Sequence, residues 1–143
     1  MGANYTVKRL LIYSDGGARG NPGPAAAAFL GLDEKGTIVT ASSRYIGIRT
    51  NNQAEYEALI SALEYAANLQ AEEVVCHLDS ELVARQLRGE YSVKNPELRK
   101  LYLKAQALRA HFKTASFVNV PRENSFIQKA DALVNATLDE QTT

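Results

Sequence analysis

A single cysteine, Cys76, stands in a chain of 143 residues that has no tryptophan, one methionine and two histidines, His77 and His111. One thiol excludes an internal disulfide, and one cysteine with two histidines falls short of the four ligands of a structural zinc site. A reducing compartment, the cytoplasm, is therefore expected. Neither sign of charge is in excess, since 16 Lys and Arg face 16 Asp and Glu. That balance argues against a nucleic-acid partner, because duplex binders carry a basic surplus. The objection loses force if several acids gather in one site, where divalent cations reverse the local field and leave the bases elsewhere as net positive surface. Long apolar runs are missing as well. None approaches the roughly 20 residues that a membrane span needs, and the start, Met1-Gly2-Ala3-Asn4, has no basic stretch leading into an apolar one.

What remains is an ordinary globular composition, 45% hydrophobic and 22% charged, in a length that suits one domain. A single domain over 1–143 with an ordered core from about 6 to 138 is expected. Residues 7–13 read as a strand that ends at a turn, Ser14-Asp15-Gly16-Gly17, because paired glycines punctuate chains. The stretches 25–32 and 37–46, joined by Asp33-Glu34-Lys35-Gly36, read as a hairpin. Thr50 and Gln53 form a capping-box pair that opens a helix of about 18 residues. The short apolar run 74–78 suits a parallel strand buried on both faces. Asp79-Ser80 begins a helix ending at Gly89, and Asn95-Pro96 begins another whose Leu98, Leu101, Tyr102, Ala105 and Leu108 form a core stripe. Residues 115–120 are a last strand, and Ser125 with Gln128 reads as a second capping box for a final helix. The element order is βββαβααβα.

Four acids sit where bland roles fit poorly. Glu55 shares a helix face with Leu59, Ala62 and Ala66, the face that must pack on the sheet. Asp15 and Asp79 follow two strands which, if parallel neighbours, deliver both acids to one carboxyl edge, where α/β folds gather ligands. Asp131 lies in line with Ile127 and Asn135 on the last helix, bordering its apolar stripe. Taken singly, each has an alternative: a helix-dipole acid for Glu55 and Asp131, a turn aspartate for Asp15, a helix cap for Asp79. Taken together, converging carboxylates repel unless divalent metal lies between them, and Mg2+ held by a few carboxylates is suited to phosphodiester hydrolysis. Cys76, inside an apolar strand, and His77 beside it read as structural.

The runs Tyr13-Ser14-Asp15-Gly16-Gly17-Ala18-Arg19-Gly20-Asn21-Pro22-Gly23-Pro24 and Thr50-Asn51-Asn52-Gln53-Ala54-Glu55-Tyr56-Glu57-Ala58-Leu59 resemble the first two motifs of type 1 ribonucleases H. The segment from His77 through Asp79-Ser80 to Leu87 resembles the third. Val120-Pro121-Arg122-Glu123-Asn124 with Ala130-Asp131-Ala132-Leu133-Val134-Asn135 resembles the fourth. The resemblance covers residues 7 to about 138. It implies an α/β ribonuclease H-like fold, a five-stranded mixed sheet in order 3-2-1-4-5 with helices on both sides. It further implies cleavage of the RNA strand of RNA/DNA hybrids, with Asp15, Glu55, Asp79 and Asp131 as catalytic acids binding two Mg2+, Mn2+ as a substitute, and 5′-phosphate and 3′-hydroxyl products. Gly16, Gly17, Ala18, Asn21, Asn51, Asn52, Glu81 and Arg122 fall at substrate-binding positions by the same resemblance. Double-stranded RNA is a further substrate of some compact members.

Three departures accompany the likeness. Only Glu90-Tyr91-Ser92-Val93-Lys94 stands where many bacterial members carry a longer basic protrusion, so the chain resembles the compact members. Arg122 stands in the region of the family's flexible-loop histidine. Two extra residues separate Arg122 from Asp131, which leaves Glu123 and Asp139 as competitors for the fourth acid. A non-catalytic hybrid or double-stranded RNA binding module on the same fold is the main alternative. A proofreading-type exonuclease would need Asp-x-Glu on the first strand, and Gly17 occupies that second position.

Overall fold

The computed structural model describes residues 7–141. Thr6, with which the expected core begins, and the Met1–Asn4 start lie outside the described residues. The elements run β1 (Arg9–Ala18), β2 (Gly23–Leu32), β3 (Ile38–Arg49), α1 (Asn51–Asn68), β4 (Glu73–Leu78), α2 (Glu81–Leu87), α3 (Pro96–Arg109), β5 (Thr114–Asn119) and α4 (Ser125–Gln141). They build one five-stranded sheet in the order β3-β2-β1-β4-β5. The β1–β2 and β2–β3 pairs are antiparallel, and β1–β4 and β4–β5 are parallel.

Why the sheet carries helices on both faces is visible in β2, which holds four consecutive alanines. Side chains alternate across a strand. Ala25 and Ala27 accordingly pack with Ala54 and Ala58 of α1, while Ala26 and Ala28 pack with Val134 and Leu138 of α4. A methyl is short enough to let each helix lie close to the sheet. The larger core lies on the α1 side, where Leu10, Ile12, Leu59, Leu63, Val74, Cys76 and Leu87 are fully buried together. Leu98 and Ala105 of α3 join that core, with Leu101, Tyr102 and Leu108 packed against its edge.

Strand β1 does not turn at Gly16-Gly17, as the glycines had suggested. It continues to Ala18, pairing Gly16 with Ala27 and Gly17 with Ala26. Gly16 serves the close approach of α1 instead of chain reversal. Strand β3 likewise runs past the expected end at Ile46, where a bulge leaves Ile46 without a partner before Gly47 (φ +82°), to Arg49. Strand β4 alternates between buried Val74, Cys76 and Leu78 and half-buried Val75 and His77, so only one of its faces is fully covered.

The capping box of α1 forms as the sequence indicates, with Gln53 N donating to Thr50 Oγ1 at 3.1 Å and Thr50 N to Gln53 Oε1 at 2.8 Å. At α4 the cap is Asn124, not Ser125. Its Oδ1 accepts from Phe126 N at 2.9 Å and Ile127 N at 3.1 Å, which places Ser125 inside the helix. Asparagine and serine rank alike as caps, so residue type could not separate adjacent candidates.

A buried hydrogen bond, Tyr56 Oη to Gln86 Oε1 at 2.7 Å, joins α1 to α2 behind the site. Tyr56→Phe strands the Gln86 carbonyl in a place without water, and urea unfolding is expected to show a loss of about 1–3 kcal/mol. Adding Gln86→Leu, which removes the stranded acceptor, is expected to recover part of it.

Candidate active site

Parallel pairing sets the first two acids level. Tyr13 of β1 lies opposite His77 of β4, and two residues further on stand Asp15, inside β1 and not after it as expected, and Asp79, one residue past the end of β4, together at the carboxyl edge of β4. Asp79 is free to point into the site because the neighbouring residue caps the helix: Ser80 Oγ accepts from Val83 N at 3.2 Å. Beneath them Tyr13 stacks on His77, with centroids 4.2 Å apart, and meets Phe126 of α4 at 4.9 Å. His77 Nδ1 donates to the Ile12 carbonyl at 2.9 Å, and burial lowers its proton affinity, so the ring is a neutral structural layer. Cys76 is inert, its thiol pushed up to about 12 by complete burial.

Glu55 reaches the same point from α1. It is 9% exposed and does not lean out to solvent. Its Oε1 accepts from Gly16 N at 2.8 Å, and only glycine allows that approach. A Cβ on residue 16 would lie 2.1 Å from the Ala54 carbonyl oxygen and 2.6 Å from Glu55 N. Asp15, Glu55 and Asp79 thus present carboxylate oxygens within 4.8 Å of one another. Asp131, from the exposed side of α4, lines the same cleft without entering that tight group.

Such crowding is costly for charge. Burial first, then the charges of Asp79 and Asp131, raise Asp15 to about 7, against a hydrogen bond from Glu55 that lowers it. Glu55 is raised well above the carboxylate range by burial and by Asp15. Asp79 is raised by burial, with Arg122 opposing. Without a counterion the pair Asp15 and Glu55 therefore holds a proton. An all-oxygen set of this kind fits a hard divalent cation, which would replace the proton and neutralise the repulsion.

The four acids open into a cleft of about 600 Å³, which Gly16, Gly17, Ala18, Asn51, Asn52 and Arg122 also line. Arg122, on the loop before α4, brings Nε to 3.7 Å from Asp79 Oδ2. Asn21 lies in an adjoining groove that shares Asn52 with the cleft. The asparagines also fasten the walls: Asn51 N donates to Asn21 Oδ1 at 3.0 Å, and Ala18 N to Asn51 Oδ1 at 2.9 Å. Glu81 stands outside the cleft, ion-paired to Arg85 at 3.0 Å. Of the competitors for the fourth acid, Asp139 pairs with Arg19 at 2.7 Å and Glu123 does not line the cleft. Arg19, Ser80, Val134, Asn135 and Leu138 complete the lining and had not been picked out as site residues. The quoted motif runs contain Arg19, Ser80, Val134 and Asn135, and they are the only signal in the sequence for these four; Leu138 lies outside the runs.

A family model described as "Reverse transcriptase-like" matches residues 13–137. The crystal structure of RNase H1 from Halobacterium salinarum superposes with a TM-score of 0.87 at 42% identity, covering 92% of this chain and 98% of that one. The chain belongs to the type 1 ribonuclease H family. A second family structure, LC11-RNase H1 in complex with RNA/DNA hybrid, superposes at 0.86 with 44% identity over 94% of this chain and 99% of that one. The N-terminal RNase H domain of Rv2228c from Mycobacterium tuberculosis does so at 0.89 with 40% identity, over 94% and 96%. Full-length relatives are longer. The chain matches 92% of itself to 65% of the Halobacterium "Ribonuclease HI" and to 36% of the mycobacterial "Bifunctional protein Rv2228c", each 42% identical. Among the described residues no helix is long and apolar enough to cross a membrane.

Proposed function

We propose that this chain is a divalent-metal-dependent endonuclease that hydrolyses the RNA strand of RNA/DNA hybrids, leaving 5′-phosphate and 3′-hydroxyl ends. One observation carries the reading: three carboxylates within 4.8 Å, two of them buried, with proton affinities raised first by burial and then by neighbouring acids. The hybrid bound in the LC11-RNase H1 complex supports the choice of substrate. Asp15, Glu55, Asp79 and Asp131 would hold two Mg2+, or Mn2+ in their place, which when bound supply activation of the attacking water and stabilisation of the leaving 3′ oxygen.

The remaining roles belong to side chains that can be named. Asn21 and Asn51 spend their amide oxygens inside the protein, so their Nδ2 groups, with Asn52, are the donors left to read 2′-hydroxyls in the shallow minor groove. The N–H groups of Gly16 and Ala18 are taken by Glu55 and Asn51, and these residues shape the wall of the cleft with Gly17. Arg122 neutralises Asp79 and is placed to meet a phosphate entering the cleft. Glu81 would contact substrate only after leaving Arg85. A reducing, cytoplasmic setting agrees with the buried free thiol.

Because protons compete with metal for the same oxygens, cleavage at low Mg2+ is expected to rise with pH through about 7, the value for Asp15. Raising Mg2+ should move that limb to lower pH in rate profiles; a limb indifferent to Mg2+ would contradict the shared site. The activity itself is tested with end-labelled RNA/DNA hybrid, double-stranded RNA and double-stranded DNA, each with Mg2+ and with chelator. Internal cuts in the hybrid's RNA strand that require Mg2+ are expected, double-stranded RNA being the second substrate to score. Binding of hybrid without any cutting would convert the assignment to a binding module.

A further inference from the structure

Asp131 differs from the other three acids. Glu55 is held by a backbone N–H and Asp15 meets Glu55 in the buried part of the site, whereas Asp131 projects from an exposed helix surface and reaches the group through a hydrogen bond with Asp15. Beyond that one contact an exposed carboxylate has free rotamers unless its own helix also orients it. One helical turn on, Asn135 donates through Nδ2 to Asp131 Oδ2 at 3.3 Å and to the Asp131 carbonyl at 3.1 Å. An asparagine amide can face a carboxylate in two ways, and only one presents a donor. The choice is made from the other side. Arg19 Nη2 lies 3.4 Å from both Asn135 Oδ1 and the Asn135 carbonyl, and the guanidinium has no acceptor to offer. It therefore demands the oxygen of the amide, which turns Nδ2 toward Asp131. Arg19 is itself anchored by Asp139 at 2.7 Å, a further turn along α4.

We infer that Arg19 and Asn135 form a positioning relay, running from the β1–β2 turn across α4, that fixes the orientation of the Asp131 carboxylate at the cleft. The relay deepens the nuclease reading of this site, and its effect on cleavage rests on that reading. Neither residue need touch the reacting atoms. Both are exposed, so their bonds add little to folding and the consequence of losing them falls on the site.

The test compares Arg19→Ala, Asn135→Ala and the double variant in the intact chain. With Mg2+ and an RNA/DNA hybrid, each single change is expected to lower kcat about tenfold, the scale seen when groups that orient metal ligands are removed. KM for the hybrid is expected to stay within about twofold of the parent, and thermal midpoints to stay unchanged. Acting through one bond, the two changes should not multiply, so the double variant should match the worse single. A second readout needs no metal and no cleavage. In 15N-correlated spectra of the metal-free protein, the Asn135 side-chain amide pair is expected to move in Arg19→Ala and in Asp131→Asn, and to stay in place in Gln128→Ala. A kcat within twofold of the parent in either single variant, multiplying losses, a rise in KM alone, or an Asn135 amide pair unmoved by Arg19→Ala would overturn the relay. If the parent itself cuts no hybrid, the nuclease reading fails, and the amide spectra still decide the relay.

Discussion

Asp15→Asn is expected to lose at least about a thousandfold of hybrid cleavage and, without metal at neutral pH, to unfold at a higher temperature than the parent. The first effect follows from removing an oxygen donor that several kcal/mol of charge stabilisation depend on, at about 1.4 kcal/mol per factor of ten. The second follows from the cost of ionising this carboxyl. Burial and neighbouring acids raise Asp15 from 3.8 to about 7. A raised acid holds its proton more tightly in the folded state, so folding is favoured in full below the unfolded value near 4, and that advantage is lost as pH climbs through about 7. The ionised side chain then costs up to about 4 kcal/mol. Asparagine escapes the cost, and a gain of about 2 kcal/mol, or roughly 5 °C in a chain of this size, is expected at pH 8 and none below pH 4. Melts with and without Mg2+ complete the test. Metal should raise the midpoint of the parent and leave the variant nearly unmoved.

Gly16→Ala should be nearly as damaging, by a different route. The added Cβ would lie 2.1 Å from the Ala54 carbonyl oxygen, and both partners are backbone, so strand β1 or helix α1 must shift. Overpacking of that kind costs about 3 kcal/mol, and moving Glu55 by even an ångström is expected to cost about a hundredfold in cleavage. Gly17→Ala is the control. Its Cβ would meet only Val134 Cγ1, at 3.5 Å, an ordinary contact, and a change under about 1 kcal/mol is expected. Chemical denaturation of the two variants side by side separates close approach at Gly16 from a general intolerance of side chains in this strand.

Helical and strand periodicity carried much of the architecture. Glu55 was placed on the packing face of α1 by its spacing from Leu59, Ala62 and Ala66, and all four are buried together. The apolar run at 74–78 and the capping box at Thr50 and Gln53 are local signals, and they matched β4 and the start of α1. The order of the strands came from the resemblance, since no local pattern says which strands are neighbours. Where local chemistry misled, tertiary contact had overridden it. Gly16 and Gly17 looked like a turn because glycine breaks chains, yet the alanines of β2 and the approach of α1 keep them in a strand. Arg19 with Asn135 and Arg122 with Asp79 were illegible as pairs, because residues far apart in sequence meet only once the sheet and α4 are assembled. The acids were legible individually and ambiguous individually. Crowding within 4.8 Å is a property of the fold, and it is what makes three ordinary carboxylates a candidate cation site.

Diffraction from crystals grown with Mn2+, recorded at a wavelength where manganese scatters anomalously, puts that crowding to the most direct trial. An anomalous peak in contact with carboxylate oxygens of Asp15, Glu55 and Asp79 is the predicted result. Well-ordered acids around an empty map, at Mn2+ concentrations that support cleavage in solution, would contradict it.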